Sequence, residues 1–513
     1  MQCGEPNEKQ NGPSKTDETA TTKADAGRHT PLFNARPLPL AALGLLFGLL
    51  IGDGFSSANA IVAALILVAA ALGARLCRRA MFALFFVCMA IGFIRIGCAV
   101  PDDIPSGYGT LTGRIAETPE QTDYGTWRIT LSDAALDGEM IDGRVKLFAE
   151  FEETPEYGQI VTAYASVSPS DEQYQSNDRY RGIFTVAFAK GNASVVWQTP
   201  ADLYGSLLRI RRMVGERIDE LFSNQYGVAK GMLLGDKGDM DEETITAYRD
   251  AGLAHLLAVS GLHVSVLAGA FALLFRKNAG VQFFAVFLFC ALYAALTAFS
   301  PSVVRAGLMI VIALLSQPLL RRPDPISALS AAFLLIVLFN PFAVWYAGFQ
   351  LSFTAVYSLI LLAPLLQKPI ARLGSVASGL ISASAAVVAG TLPASAYFFG
   401  KVQFLSVVTN LFVLMIVPVF LIPAFIGTAL SFVWYPLGDA VCLVPRFALD
   451  VINAVATYGG SLSAAITAPS ALAYLLYLAA ILFASRLCLR SHRRRAVYAA
   501  LALTGSIALW ITM

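Results

Sequence analysis

Residues Ala251 to Gly269 read AGLAHLLAVSGLHVSVLAG, and this stretch sets the fold class. Two of the chain's four histidines, His255 and His263, stand in it, with Ser260 and Gly261 between them and apolar residues around them. Polar groups in hydrocarbon are costly unless they face a partner or water, so such a run lies against protein or along an aqueous path. A Ser-Gly pair is also a place where a membrane helix breaks. A broken helix persists at membrane depth only where protein or water satisfies its backbone. His255, Ser260, Gly261 and His263 are therefore expected to line a cavity.

Working outward, hydrophobic residues make up 56% of the 513 and charged residues 14%, with a mean hydropathy of +0.63. That excess implies a polytopic α-helical membrane protein with a soluble insert. The net charge of +2 selects no class of partner. The seven cysteines (3, 77, 88, 98, 290, 442 and 488) show no metal spacing and lie mostly in or beside apolar runs. They read as small core residues, and none falls inside the soluble insert.

Residues 1–36 are polar and read as a disordered cytoplasmic tail. Apolar runs at 38–52, 58–72 and 80–100 form an N-terminal membrane segment, residues 37–100. Arg75, Arg78 and Arg79 lie between the second and third runs, which places that loop inside and sends the third span outward. From Gly109 to Trp197 the pattern changes to period two. GTLTGRIAE, TWRITLSDA, GRVKLFAEF, GQIVTAYASV and GIFTVAFAK read as five strands of a small extracytoplasmic β-barrel within 101–200. This insert holds seven Lys and Arg against fourteen Asp and Glu, the wrong sign for a sequence-independent DNA groove. Tyr124, Trp127, Tyr164 and Phe188 are read as core aromatics, and a docking role is preferred for the insert.

Residues 201–250 follow as amphipathic and approach segments, with Arg209, Arg211, Arg212 and Arg217 among apolar residues at helical spacing. Spans are expected over 254–275, 281–299, 302–319, 326–345, 347–366, 376–398, 403–420, 421–436, 470–486 and 496–512. The basic loops at 276–277, 321–322, 368–372 and 486–495 should all be cytoplasmic. That requires one segment between 400 and 486 not to cross, and Asp439–Gly459 is the best candidate for a surface or re-entrant helix.

Several co-linear motifs resemble the ComEC family of competence proteins. They are the opening stretch, GMLLGDKGDM (Gly231 to Met240), AFSPSVVRAGLM (Ala298 to Met309), FNPFAVWYAGFQLSF (Phe339 to Phe353) and TLPASAYFF (Thr391 to Phe399). The resemblance implies a competence-type channel domain over 251–513 and an OB-like β-domain before it. It also implies import of single-stranded DNA across the bacterial cytoplasmic (inner) membrane during natural transformation. The partners it implies are single-stranded DNA, a DNA receptor on the outer side, a cytoplasmic DNA-translocating ATPase, a separate nuclease and membrane lipid. The alternative is a transporter of another polyanion or a small metabolite on the same scaffold. Many relatives carry a C-terminal metallo-β-lactamase-like domain. No His-x-His cluster of that kind occurs in these 513 residues, and no phosphate-binding loop does either.

Three chemical readings compete at the histidines. In an unbroken helix His255 and His263 stand about 12 Å apart along the axis, too far to share one metal ion. Ser260 and His263 are a nucleophile and base only if a fixed geometry and an oxyanion hole accompany them. A polar lining needs neither, so no catalytic residue, metal or cofactor is assigned. Ser300 and Pro301 mark a helix start, and Arg305 in its first turns suggests an anion site at the outer mouth of a path. The competing role for Arg305 is snorkelling to the headgroups. Asn340, Gln350, Ser352 and Asn410 complete the expected lining.

Overall fold

A computed structural model describes residues 37–53, 57–76, 80–101, 104–122, 125–170, 175–196, 203–316, 324–403, 406–458, 463–465, 467–485 and 492–511. The N-terminal tail, Arg78, Arg79, Tyr124, Arg321 and Arg322 lie outside the described residues.

Three apolar helices open the chain: α1 (Pro37–Gly52), α2 (Ser57–Leu76) and α3 (Ala80–Gly97). Between α1 and α3 the contact runs through small residues. A Cβ at Gly48 would meet the Met89 carbonyl oxygen at 2.0 Å, so only glycine permits this approach.

The β-domain follows with strands β1 (Gly107–Ile115), β2 (Trp127–Leu136), β3 (Arg144–Glu150), β4 (Ile160–Pro169) and β5 (Ile183–Asn192), and helix α4 (Gln175–Tyr180) before β5. All five expected strands are present. Their order is β1-β2-β3-β5-β4, with β3 and β5 parallel, and β1 pairs back with β4 to close the barrel. Alternate residues fill it: Leu111, Ile129, Leu131, Val145, Leu147 and Val161 are each 0% exposed. Closure removes the sheet edges that would otherwise invite pairing with another chain. Tyr164 and Phe188 correct the expectation of core aromatics. They lie on the other side of the pleat, more than half exposed, and Phe188 stacks on Phe148 at 5.2 Å.

Three amphipathic or short helices lead onward: α5 (Leu203–Leu221), α6 (Tyr226–Leu234) and α7 (Glu242–Asp250). The remaining α-helices of seven residues or more are α8 (Gly261–Leu274), α9 (Ala279–Leu296), α10 (Pro301–Leu315), α11 (Pro325–Phe339), α12 (Ala347–Leu361), α13 (Ser375–Phe399), α14 (Ser406–Ser431), α15 (Tyr435–Val441), α16 (Leu443–Tyr458), α17 (Ala471–Ala484) and α18 (His492–Ile511). Among the described residues four segments are long and apolar enough to cross a membrane: α9, α13, residues Val408–Ser431 of α14, and Tyr435–Tyr458. Others, such as α8 and α12, hold 14 or 15 residues, short of the ~20 that a full span requires.

The two spans expected over 403–420 and 421–436 are one helix, α14, which runs through Pro418 and Pro423 without ending. Membrane helices tolerate proline because neighbouring groups satisfy the freed carbonyls. Tyr435–Tyr458, which takes in most of the Asp439–Gly459 segment expected as a surface or re-entrant helix, is long and apolar enough to cross.

A shared core joins α5–α7 to the helical bundle. Ile218, Leu221, Met232, Leu256, Val264, Phe420 and Leu449 are all buried in it. Around it the hydroxyl of Tyr248 donates to Asn453 Oδ1 at 2.5 Å, and Arg446 pairs with Asp439 while donating to the Leu221 carbonyl at 2.6 Å.

Candidate functional site

The local sequence explains why the chain unwinds before α8. Helix α7 is N-capped by Asp241 and ends at Gly252, whose φ of +75° is a left-handed stop. One 3-10 turn, Ala254–Leu256, follows. Leu253, Leu256, Leu257 and Val259 turn inward, all at most 2% exposed, while His255 stays exposed. Helix α8 then starts at the expected break. Ser260 is its N-cap, and its Oγ accepts from the His263 amide at 3.5 Å. In return His263 Nδ1 accepts from the Ser260 amide at 3.3 Å. Histidine here takes the place of the Glu or Gln of an ordinary capping box. The imidazole thus faces the backbone of Ser260, and among the described residues no hydrogen bond joins it to the Ser260 hydroxyl.

This box fixes the tautomer of His263. With Nδ1 accepting, the ring proton belongs on Nε2, and that atom is fully buried with no partner among the described residues.

Arg305, in the second turn of α10, is 5% exposed. Its Nε donates to Ser352 Oγ on α12 at 2.6 Å, its Nη1 contacts Met309 Sδ at 3.7 Å, and the guanidinium lies 5.9 Å from the Phe353 ring centre. No carboxylate pairs with it among the described residues. Its Nη2 rests against the backbone of Gly261, where a Cβ would come within 2.5 Å of that nitrogen. The absence of a side chain at 261 is what lets a cation reach the start of α8. Ser300 precedes α10 at the N-cap position but makes no side-chain cap, and the two residues before it, Ala298 and Phe299, hold left-handed φ values of 51° and 54°.

Five of the nine expected lining residues therefore meet: Ser260, Gly261, His263, Arg305 and Ser352. Gln350, earlier on α12, spends its amide nitrogen on the Val344 carbonyl at 2.8 Å and leaves Oε1 buried without a partner among the described residues. Asn410 on α14 likewise buries an Oδ1 that has no partner among the described residues, while its neighbour Thr409 donates to the Ala251 carbonyl at 2.9 Å. Asn340 is elsewhere and otherwise employed. Its Oδ1 accepts from the Phe342 amide at 3.1 Å and its Nδ2 donates to the Tyr180 carbonyl of the β-domain at 2.7 Å. Tyr180 also stacks on Tyr346, and Phe184 meets Phe342 edge-on at 5.6 Å. Burial pushes the Tyr180 phenol up to about 12, with Tyr346 adding to the shift.

Several contributors carry little sequence signal. Met309 is four residues after Arg305, a helical neighbour that spacing alone finds. Tyr180 and Tyr346 have no such clue. The motif Gly231–Met240 packs onto the signature stretch, since a Cβ at Gly231 would lie 3.1 Å from the Leu257 carbonyl oxygen. Beside it Lys230 bridges Asp219 and Asp239, each at 2.7 Å. Burial alone would favour its neutral amine, but the two carboxylate hydrogen bonds outweigh that and hold its pKa above the usual lysine value. No group of three or more His, Cys, Asp or Glu side chains converges as a metal set among the described residues.

Comparison with known proteins places this junction in context. The family profile described as "Competence protein" matches residues 232–494. ComE operon protein 3 of Bacillus subtilis is 35% identical over 188 residues, covering 36% of this chain and 24% of that protein. Recombination protein 2 of Haemophilus influenzae is 26% identical over 271 residues, 49% of this chain and 33% of that protein. The chain thus spans about a quarter to a third of the length of these relatives. No solved structure matches.

Proposed function

We propose that this chain, which belongs to the competence-protein family, is a channel subunit of the bacterial cytoplasmic membrane that imports single-stranded DNA during natural transformation. The observation that carries this reading is that residues 232–494, the part matched by the family, contain every member of the buried polar junction around Arg305. The role is passage rather than catalysis. A passing polyanion needs positive charge to draw it in and neutral polar groups that do not hold it. One uncompensated arginine beside hydroxyl and imidazole groups has that character. His263 and Arg305 are both buried.

The β-domain stands on the outer side in this reading, docked to α11 and α12 through Asn340 and Tyr346, where a DNA receptor would deliver its cargo. The four basic loops then face the cytoplasm, where a DNA-translocating ATPase would engage the emerging strand, and a separate nuclease removes the other strand. A deletion strain should lose uptake of labelled DNA and regain it on complementation. For orientation, Glu139→Cys in a cysteine-free background offers an exposed probe on the barrel. An impermeant maleimide should label it in intact spheroplasts; labelling only after lysis would reverse the topology.

A further inference from the structure

We infer that the meeting point of α8, α10 and α12 is a binding site for a single phosphodiester group, with Arg305 as its charged anchor. The identity of the ligand as nucleic acid rests on the transport reading above; the site itself does not.

The argument begins with an imbalance of charge. A guanidinium removed from water costs several kcal/mol unless an opposite charge or full hydrogen bonding compensates it. Arg305 is 5% exposed and has one hydroxyl, one thioether and no carboxylate around its five N–H groups. Its Nη2 has no acceptor among the described residues. That nitrogen is set against Gly261, the first residue of a 14-residue helix. A helix N-terminus carries partial positive charge, so like signs are held together with nothing negative between them.

Hydrogen-bonding capacity is equally one-sided. The amides of Gly261 and Leu262 find no acceptor among the described residues. Ser352 Oγ accepts from Arg305, which leaves its own proton to donate. His263 Nε2–H, in the same first turn of α8, is buried and unpartnered. Every unused group named here is a donor. A cation or an apolar ligand would leave these donors unpaired, whereas an anion at the start of α8 accepts from Nη2 and from the free amides beside it.

Geometry narrows the class. Ser352 pins Nε, which fixes the plane of the guanidinium and presents Nη2 in a set direction. With Nε given to Ser352 and one Nη1 contact to Met309, the donors left are Nη2 and the remaining Nη1 proton, an end-on pair that suits two oxygens of a phosphodiester. Nucleic-acid backbone and phospholipid headgroups share that chemistry. The backbone is favoured because the site lies within the helices that the transport reading assigns to the path.

The test uses full-length protein in dodecyl maltoside, a detergent without phosphate, with dimethyl phosphate as probe and chloride holding ionic strength constant. The thermal-unfolding midpoint should rise with dimethyl phosphate in the wild type. The half-maximal concentration should increase about tenfold or more in Arg305→Gln and about threefold in Arg305→Lys, where charge remains but the fork is lost. Gly261→Ala should weaken it too, with charge unchanged, because the new methyl meets Nη2. The midpoint without ligand shows whether each variant is folded, and Ser352→Ala substitutes for any that is not. Hexathymidylate should compete with the probe and phosphatidylglycerol should not. No wild-type shift beyond chloride, or an equal shift in Arg305→Gln, overturns the site. Competition by phosphatidylglycerol alone overturns its assignment to nucleic acid. Normal DNA uptake in the deletion strain would sink the transport reading and leave the phosphodiester site standing.

Discussion

Tyr180 of the β-domain lies over Tyr346 of the helical domain, ring centres 4.4 Å apart and planes within 12°. The contact is clamped by Asn340, which joins the Tyr180 carbonyl to the start of the 341–345 turn. Asn340 was expected on the path, and the structure gives it this docking work. Asn340→Ala should therefore loosen the two domains by about 1 kcal/mol, the net value of a typical buried hydrogen bond. Hydrogen exchange at residues 175–184 should speed up accordingly. Unchanged protection there, with impaired DNA uptake, would return Asn340 to the path.

What was legible in the sequence divides along physical lines. Local signals were read correctly where one residue type has one mechanism. The Ser260–Gly261 break is a cap followed by a residue without a side chain, and the five strands alternate strictly. Signals that depend on distant partners were not legible. Nothing in the sequence near Asn340 points to Tyr180, 160 residues earlier. Tyr164 and Phe188 were misplaced because an aromatic in an alternating strand suits either face until the barrel's interior is filled by Leu, Ile, Val and Ala. The boundary expected between 420 and 421 is absent, because α14 runs through Pro418 and Pro423 and in a membrane the backbone has no better option than to remain helical. Arg305 was expected beside a helix start, and it is beside one. The helix end that it meets is that of α8, not that of its own helix.

Lys230 supports a second prediction. Its ammonium, 12% exposed, holds together Asp219 of α5 and Asp239 of the loop before α7. Lys230→Met keeps the stem and removes the charge, leaving two carboxylates facing each other. The carboxylates are partly open to solvent, so screening limits the loss to about 1–2 kcal/mol. A lower thermal midpoint in detergent checks this. A midpoint equal to the wild type would show the bridge to be energetically idle.

Ala298 and Phe299 hold consecutive left-handed conformations at the turn into α10. For an L residue each costs roughly 1–2 kcal/mol. Glycine at 298 relieves one of them, partly offset by the greater freedom of the unfolded chain. Ala298→Gly should raise the stability by about 0.5–1 kcal/mol. A fall in the midpoint would mean that the methyl group makes packing contacts worth more than the strain.

The capping box at Ser260 separates a structural role for His263 from a role in passage. His263→Gln keeps an acceptor for the Ser260 amide and so should preserve stability, while His263→Leu should lose about 1 kcal/mol. If Nε2–H also serves a passing phosphate, His263→Gln should reduce uptake modestly at normal protein abundance. Equal uptake in wild type and His263→Gln would confine the residue to capping.

The most direct test of the transport account measures DNA uptake and membrane protein abundance together in Arg305→Ala and Arg305→Lys strains. The account predicts that Arg305→Ala cuts uptake by about tenfold or more at normal abundance and that Arg305→Lys restores part of it, since charge survives without the bidentate fork. Wild-type uptake in Arg305→Ala at wild-type abundance would contradict it.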